Sequence, residues 1–145
     1  MKIKNVQRVV FLLFFFLFAT QAWAEEWVLY DVAKTGNRYY EKNSIKKTGD
    51  NIFSVWTIKV YNKEGKAKDF YQLTQKNAAP QSPDLLNFSA LLVDVDCKNN
   101  KFKINAMTIY DKEKKALFSA PESLFKWDKI VDNTSSGKLK SKVCK

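Results

Sequence analysis

The chain contains no histidine. That removes the commonest general base, the usual catalytic triads and any His-based zinc site. Glycine is scarce, at four residues, and neither G-x-S-x-G nor G-x-x-x-x-G-K-[ST] occurs. A nucleophile elbow and a phosphate-cradling loop are therefore not indicated. Acid is short relative to base, with 15 Asp and Glu against 25 Lys and Arg. Cysteine is limited to Cys97 and Cys144. These absences predict no catalytic residue, no metal and no cofactor.

What is present begins with an export signal. Lys2, Lys4 and Arg8 precede an apolar run from Val9 to Ala19, and Ala22-Trp23-Ala24 supplies small residues at the -3 and -1 positions of a cleavage site. This is the three-part layout of a secretory signal peptide. The apolar run, about 11 residues, is too short to span a hydrocarbon core, which takes roughly 20. The expected organisation is a signal peptide over 1–24 and one domain over 25–145, with no integral membrane segment after cleavage. Loss of Lys2, Lys4 and Arg8 takes the formal charge from +10 to +7. Such an excess keeps small domains apart and favours acidic partners. Nucleic acid is not expected, because the domain is exported and no recognised binding motif appears.

Outside the cytoplasm, two cysteines imply one bridge, and only one connectivity is available. Chain-entropy bookkeeping for a loop of this length gives about 4 kcal/mol of stabilisation. A redox-active pair would call for close spacing such as C-x-x-C, so Cys97–Cys144 is read as structural.

Period-2 patterning predicts a mainly β domain. Strands are expected over Trp27–Val32, Arg38–Glu41, Asn51–Tyr61, Phe88–Cys97, Lys101–Tyr110, Ala116–Ser119 and Trp127–Ile130. Ile52, Trp56, Ile58 and Val60 share one face of the long strand, and Phe53, Val55 and Tyr61 share the other. Asn62-Lys63-Glu64-Gly65 reads as a turn, with Asp69–Gln75 as the returning strand. Pro80 and Pro83 mark a loop over Asn77–Asp84. Asn99-Asn100 suits a tight hairpin. Asn133, Thr134 and Ser135 are candidate N-caps for a short terminal helix with Leu139 and Val143 as its apolar stripe.

The block Val93-Asp94-Val95-Asp96-Cys97-Lys98, the Trp127-x-x-Ile130 element and the late Cys144 resemble the surface-adhesin protein E-like family. Trp27, Tyr39-Tyr40 before Ser44-Ile45, and Val55-Trp56 fit the same pattern, which covers essentially the whole mature chain. The resemblance implies an α+β, mainly β fold: an antiparallel sheet of about six strands with a C-terminal helix tied on by Cys97–Cys144. It also implies adhesion to matrix proteins. No cysteine stands at the cleavage point, where lipid anchoring would need one, so a periplasmic location is expected alongside cell surface or secretion.

Asp94 and Asp96 are the best candidates for a catalytic carboxylate pair, roughly 7 Å apart along a strand face. The polar side of a half-buried strand, balanced by Lys98 and Lys101, accounts for them without chemistry. Calcium would want more oxygen ligands. Trp27, Trp56 and Trp127 could stack on sugars, but in so small a domain they are expected in the core. The leading expectation is an exported, non-enzymatic binding module for a protein partner or a second copy of itself, using Phe53, Val55 and Tyr61. One alternative is a charge-driven binder of anionic glycan or lipid through Lys98, Lys101, Lys103 and the terminal lysines. Another is a small enzyme inhibitor presenting the Pro80–Pro83 loop.

Overall fold

Alternating apolar residues and turn-forming asparagines build most of this molecule. The computed structural model describes residues 25–122 and 125–145; the expected signal peptide lies outside them. The elements run β1 (Trp27–Ala33), β2 (Gly36–Glu41), β3 (Lys46–Gly49), β4 (Ile52–Tyr61), α1 (Lys63–Gln75), β5 (Phe88–Asp96), β6 (Lys101–Tyr110), β7 (Ala116–Ala120), β8 (Asp128–Lys129) and α2 (Ser135–Val143). Short 3-10 turns occupy Lys42–Ser44 and Pro83–Leu85.

All eight strands join one antiparallel sheet in the order β1-β2-β4-β5-β6-β7, with β3 on β4 and β8 on β6. The sheet is six positions wide. β3 pairs with the start of β4, up to Ser54, whereas β2 pairs with its end, from Thr57. β8 and β7 divide β6 in the same way. The expectation of about six strands thus describes the width, and β3 is an additional strand that the sequence reading did not separate.

The expected strand over Asp69–Gln75 is instead the second half of helix α1. Asn62, read as part of a turn, is its N-cap: the side chain accepts from Gly65 N at 2.8 Å, as a capping residue should. The helix ends in a Schellman arrangement. Asn77 takes φ 53°, Asn77 N donates to Thr74 O and Ala78 N to Leu73 O, which satisfies carbonyls the helix leaves open. Gly65 is required by contact, because a Cβ there would sit 1.9 Å from Thr35 O. The first turn of α1 therefore rests on the β1–β2 turn.

Both helices pack on the same side of the sheet. Under α2 lies a core of Tyr40, Val55, Val93, Val95, Ile130, Leu139 and Val143. Under α1 lies a second one, of Tyr61, Leu73, Leu86 and Ile109. Leu139 and Val143 are the buried stripe of α2, as expected, and Thr134 is its N-cap. The Cys97–Cys144 bridge is formed, with Cα atoms 5.8 Å apart, and ties the end of α2 to the end of β5. Asn100, at φ 55° in the β5–β6 turn, reinforces that corner: its amide donates to Ile130 O and accepts from Lys140 Nζ at 2.8 Å.

Two ionic links fasten the helices to the sheet. Asp69 on α1 holds Lys59 Nζ and the Tyr61 hydroxyl, each at 2.7 Å, and Lys59 also lies 4.4 Å from the Tyr61 ring centre. Asp31 on β1 receives Lys138 and Ser135 of α2.

Candidate functional site

Side chains along a strand alternate between faces, and here both described helices cover the same one. On β4, Val55, Thr57, Lys59 and Tyr61 are buried beneath the helices. Ile52, Ser54, Trp56, Ile58 and Val60 therefore face away, and among the described residues no helix packs over them. Trp56 is 41% exposed and Val60 39%.

Strand register extends this open face into rows. One row runs Leu29, Tyr39, Ile58, Ala90, Thr108 and Ser119 across β1, β2, β4, β5, β6 and β7. The next runs Val32, Asn37, Val60, Phe88 and Tyr110. A third sets Trp56 beside Leu92 and Ala106. Phe88 and Tyr110 stack, with centroids 4.9 Å apart and planes inclined by 17°. The aromatic rings thus support one another rather than a buried core.

Trp56 stands between two grooves on this face. One, of about 480 Å³, is lined by Trp27, Trp56, Ile58, Phe88, Ala90 and Tyr110, with Glu25 and Lys114 at its mouth. The other, about 570 Å³, runs past Asn43, Ser44, Lys46, Thr48, Ser54 and Leu92. The backbone at Trp56 is tied to the 3-10 turn beside it: Trp56 N donates to Ser44 Oγ, and Ser44 Oγ donates to Glu41 O. Glu41 is itself held, accepting from Glu26 N and Asn43 N. An exposed tryptophan flanked by grooves suits the role of an interface anchor.

The expected binding residues fall elsewhere. Val55 is fully buried and Tyr61 7% exposed, while Phe53 is half-buried against the core under α2. Phe53, Val55 and Tyr61 thus lie on the helix-covered face, and the apolar face open among the described residues is the opposite one. In the fold Lys59 is buried, with Asp69 as its counter-charge. The expectation that the tryptophans belong to the core is corrected: Trp127 is 40% exposed, like Trp56, and Trp27 lines a groove.

The basic candidates are dispersed. Lys98 and Lys101 are exposed on the β5–β6 hairpin. Lys103 pairs with Glu122 at 3.3 Å, Lys138 with Asp31, and Lys140 with Asn100. Three of the lysines that would make a charged patch are thus engaged internally.

Asp94 and Asp96 do not form a paired acid–base site. Asp94 receives the Ser54 hydroxyl. Asp96 accepts from Lys98 N, Asn99 N and Asn99 Nδ2, and so shapes the hairpin. The Asn99 side chain, then its backbone N–H, holds the Asp96 carboxyl below the usual carboxylate value. Among the described residues no cluster of three or more His, Cys, Asp or Glu is arranged to hold a metal. No described helix is long and apolar enough to cross a membrane.

A family model described as surface-adhesin protein E matches residues 27–145. No curated protein and no solved structure matches the chain.

Proposed function

Because the chain belongs to the surface-adhesin protein E family, we propose that it is an exported binding module that grips a protein partner with the open face around Trp56. The family assignment points to binding rather than catalysis, and the closed bridge suits an oxidising compartment. The observation that carries the site is the uncovered aromatic face itself. An exposed apolar surface rimmed by polar groups marks an interaction surface in a small domain. Tryptophan and tyrosine supply much contact area with little side-chain entropy to lose.

The partner is a protein met in the envelope or the surrounding matrix, with an apolar centre and an acidic rim that complement the ridge and its flanking Lys46 and Lys114. A second copy of this chain is the less favoured occupant, since two molecules of formal charge +7 repel. A charge-driven glycan or lipid binder is disfavoured by the internal engagement of Lys103, Lys138 and Lys140.

The test is adsorption of the oxidised protein to immobilised matrix glycoproteins and to envelope extract, at low and high salt. Trp56→Ser with Tyr110→Ser should lower affinity at least about tenfold, the loss expected from removing one anchor. Lys98→Gln with Lys101→Gln should leave it nearly unchanged. Binding that survives the aromatic substitutions but collapses in salt would overturn the reading in favour of charge. Sedimentation across micromolar concentrations separates self-association from capture of a different protein.

A further inference from the structure

The helix-covered side of the sheet has a cavity that the open face does not use. It occupies about 310 Å³ between the sheet and the start of α2. Leu91, Val93, Val95, Phe102, Ile104 and Leu139 form its apolar wall. Its polar lining comes from Tyr30, Arg38, Thr57 and the first residues of α2.

Arg38 is the informative member. Its Nε is buried and, among the described residues, is the side-chain polar atom left without a hydrogen-bond partner. The nearest carboxylate oxygen, Asp31 Oδ2, lies 3.9 Å away. Asp31 is already committed to Lys138 and Ser135. The cations Arg38 and Lys138 therefore share one carboxylate, and a net positive charge remains at an apolar cavity. The N-terminal end of α2, with its positive dipole, borders the same space. An unsatisfied buried donor is costly, and more so when charged. Burial also pushes the Tyr30 phenol up to about 12, against the pull of Arg38, so its hydroxyl stays a donor at neutral pH.

We propose that this cavity binds a small amphipathic monocarboxylate, its carboxylate on Arg38 and its apolar body along Leu91, Ile104 and Phe102. At ~30 Å³ per water-sized unit, the space suits a ligand of on the order of ten non-hydrogen atoms. A medium-chain fatty acid has that size, and octanoate is the probe to use.

The experiment follows methyl resonances of the oxidised protein on titration with octanoate, octanol and acetate. Octanoate should shift Leu91, Val93 and Leu139 saturably. Octanol lacks the charge and acetate the body, and each should bind about tenfold more weakly or worse, the worth of a charge-assisted hydrogen bond or of the apolar contacts. Arg38→Gln should reduce octanoate affinity by a similar factor and leave octanol unchanged. Ile104→Trp, which fills the cavity from the wall opposite the charge, should abolish both. Absence of saturable shifts into the millimolar range, equal binding of octanol or acetate, or full octanoate affinity in Arg38→Gln would each overturn the proposal. The comparison of three ligands on the unaltered protein decides it even if a variant fails to fold.

Discussion

Lys59 and Asp69 form a buried ion pair between β4 and α1. Their side chains are 8% and 14% exposed and meet at 2.7 Å. Burial lowers the Lys59 pKa, and Asp69 works against that shift. Removing one partner of such a pair strands the other, at a cost of about 3–5 kcal/mol. Asp69→Ala should therefore reduce unfolding free energy by that order in urea titration, while Lys59→Met with Asp69→Leu should cost much less. Two further carboxylates set the acid limit. For Asp31, burial favours the neutral form, but Lys138 and Ser135 outweigh it and the pKa is lowered; Asp96 is lowered by Asn99. Each contributes stability above the unfolded value of 3.8 and loses it as pH falls through the lower folded value. The melting temperature should hold between pH 5 and neutrality and drop progressively below about 4. Asp96→Asn should flatten the acid limb, and an unchanged limb would count against the Asn99 contacts.

Element identity depended on residues whose local meaning was ambiguous. Strands β4, β5 and β6 were legible because their alternation is long and regular. Helix α2 was legible through Thr134, Leu139 and Val143. Helix α1 was not: Asn62 to Gly65 has a turn composition that serves equally as cap and first turn, and Phe70, Tyr71 and Thr74 favour strands. Leu73, three residues after Phe70, was the available sign of helical spacing. The same misreading hid the counter-charge of Lys59, and with it which face of β4 is buried. Asn62→Ala should cost about 1 kcal/mol by loss of the cap, read as a shift in denaturation midpoint with unchanged slope. Cys97→Ser should free α2 and lower stability by up to about 4 kcal/mol. Amide exchange should then accelerate first in α2 and around Asn100. Equal melting of reduced and oxidised protein would show that the bridge contributes nothing.

At the scale of the whole molecule, both described helices pack on one side of the sheet and leave the other side open. Localisation decides which partners can be met. Protease applied to intact cells should cleave the chain, while a periplasmic control survives, if the open face is displayed outward. Protection would place the partner inside the envelope.

The bridge also has a mechanical meaning. Tension applied at Lys145 would pass from Cys144 to Cys97 and into β5, which is hydrogen-bonded on both sides by β4 and β6. The segment spanned by the bridge, a separation of 47 residues, is then bypassed. At ~3.4 Å per residue it withholds roughly 160 Å of chain from extension. The bypassed covalent path runs through β6, β7, β8 and α2, and only reduction would let the tether lengthen by unspooling that segment.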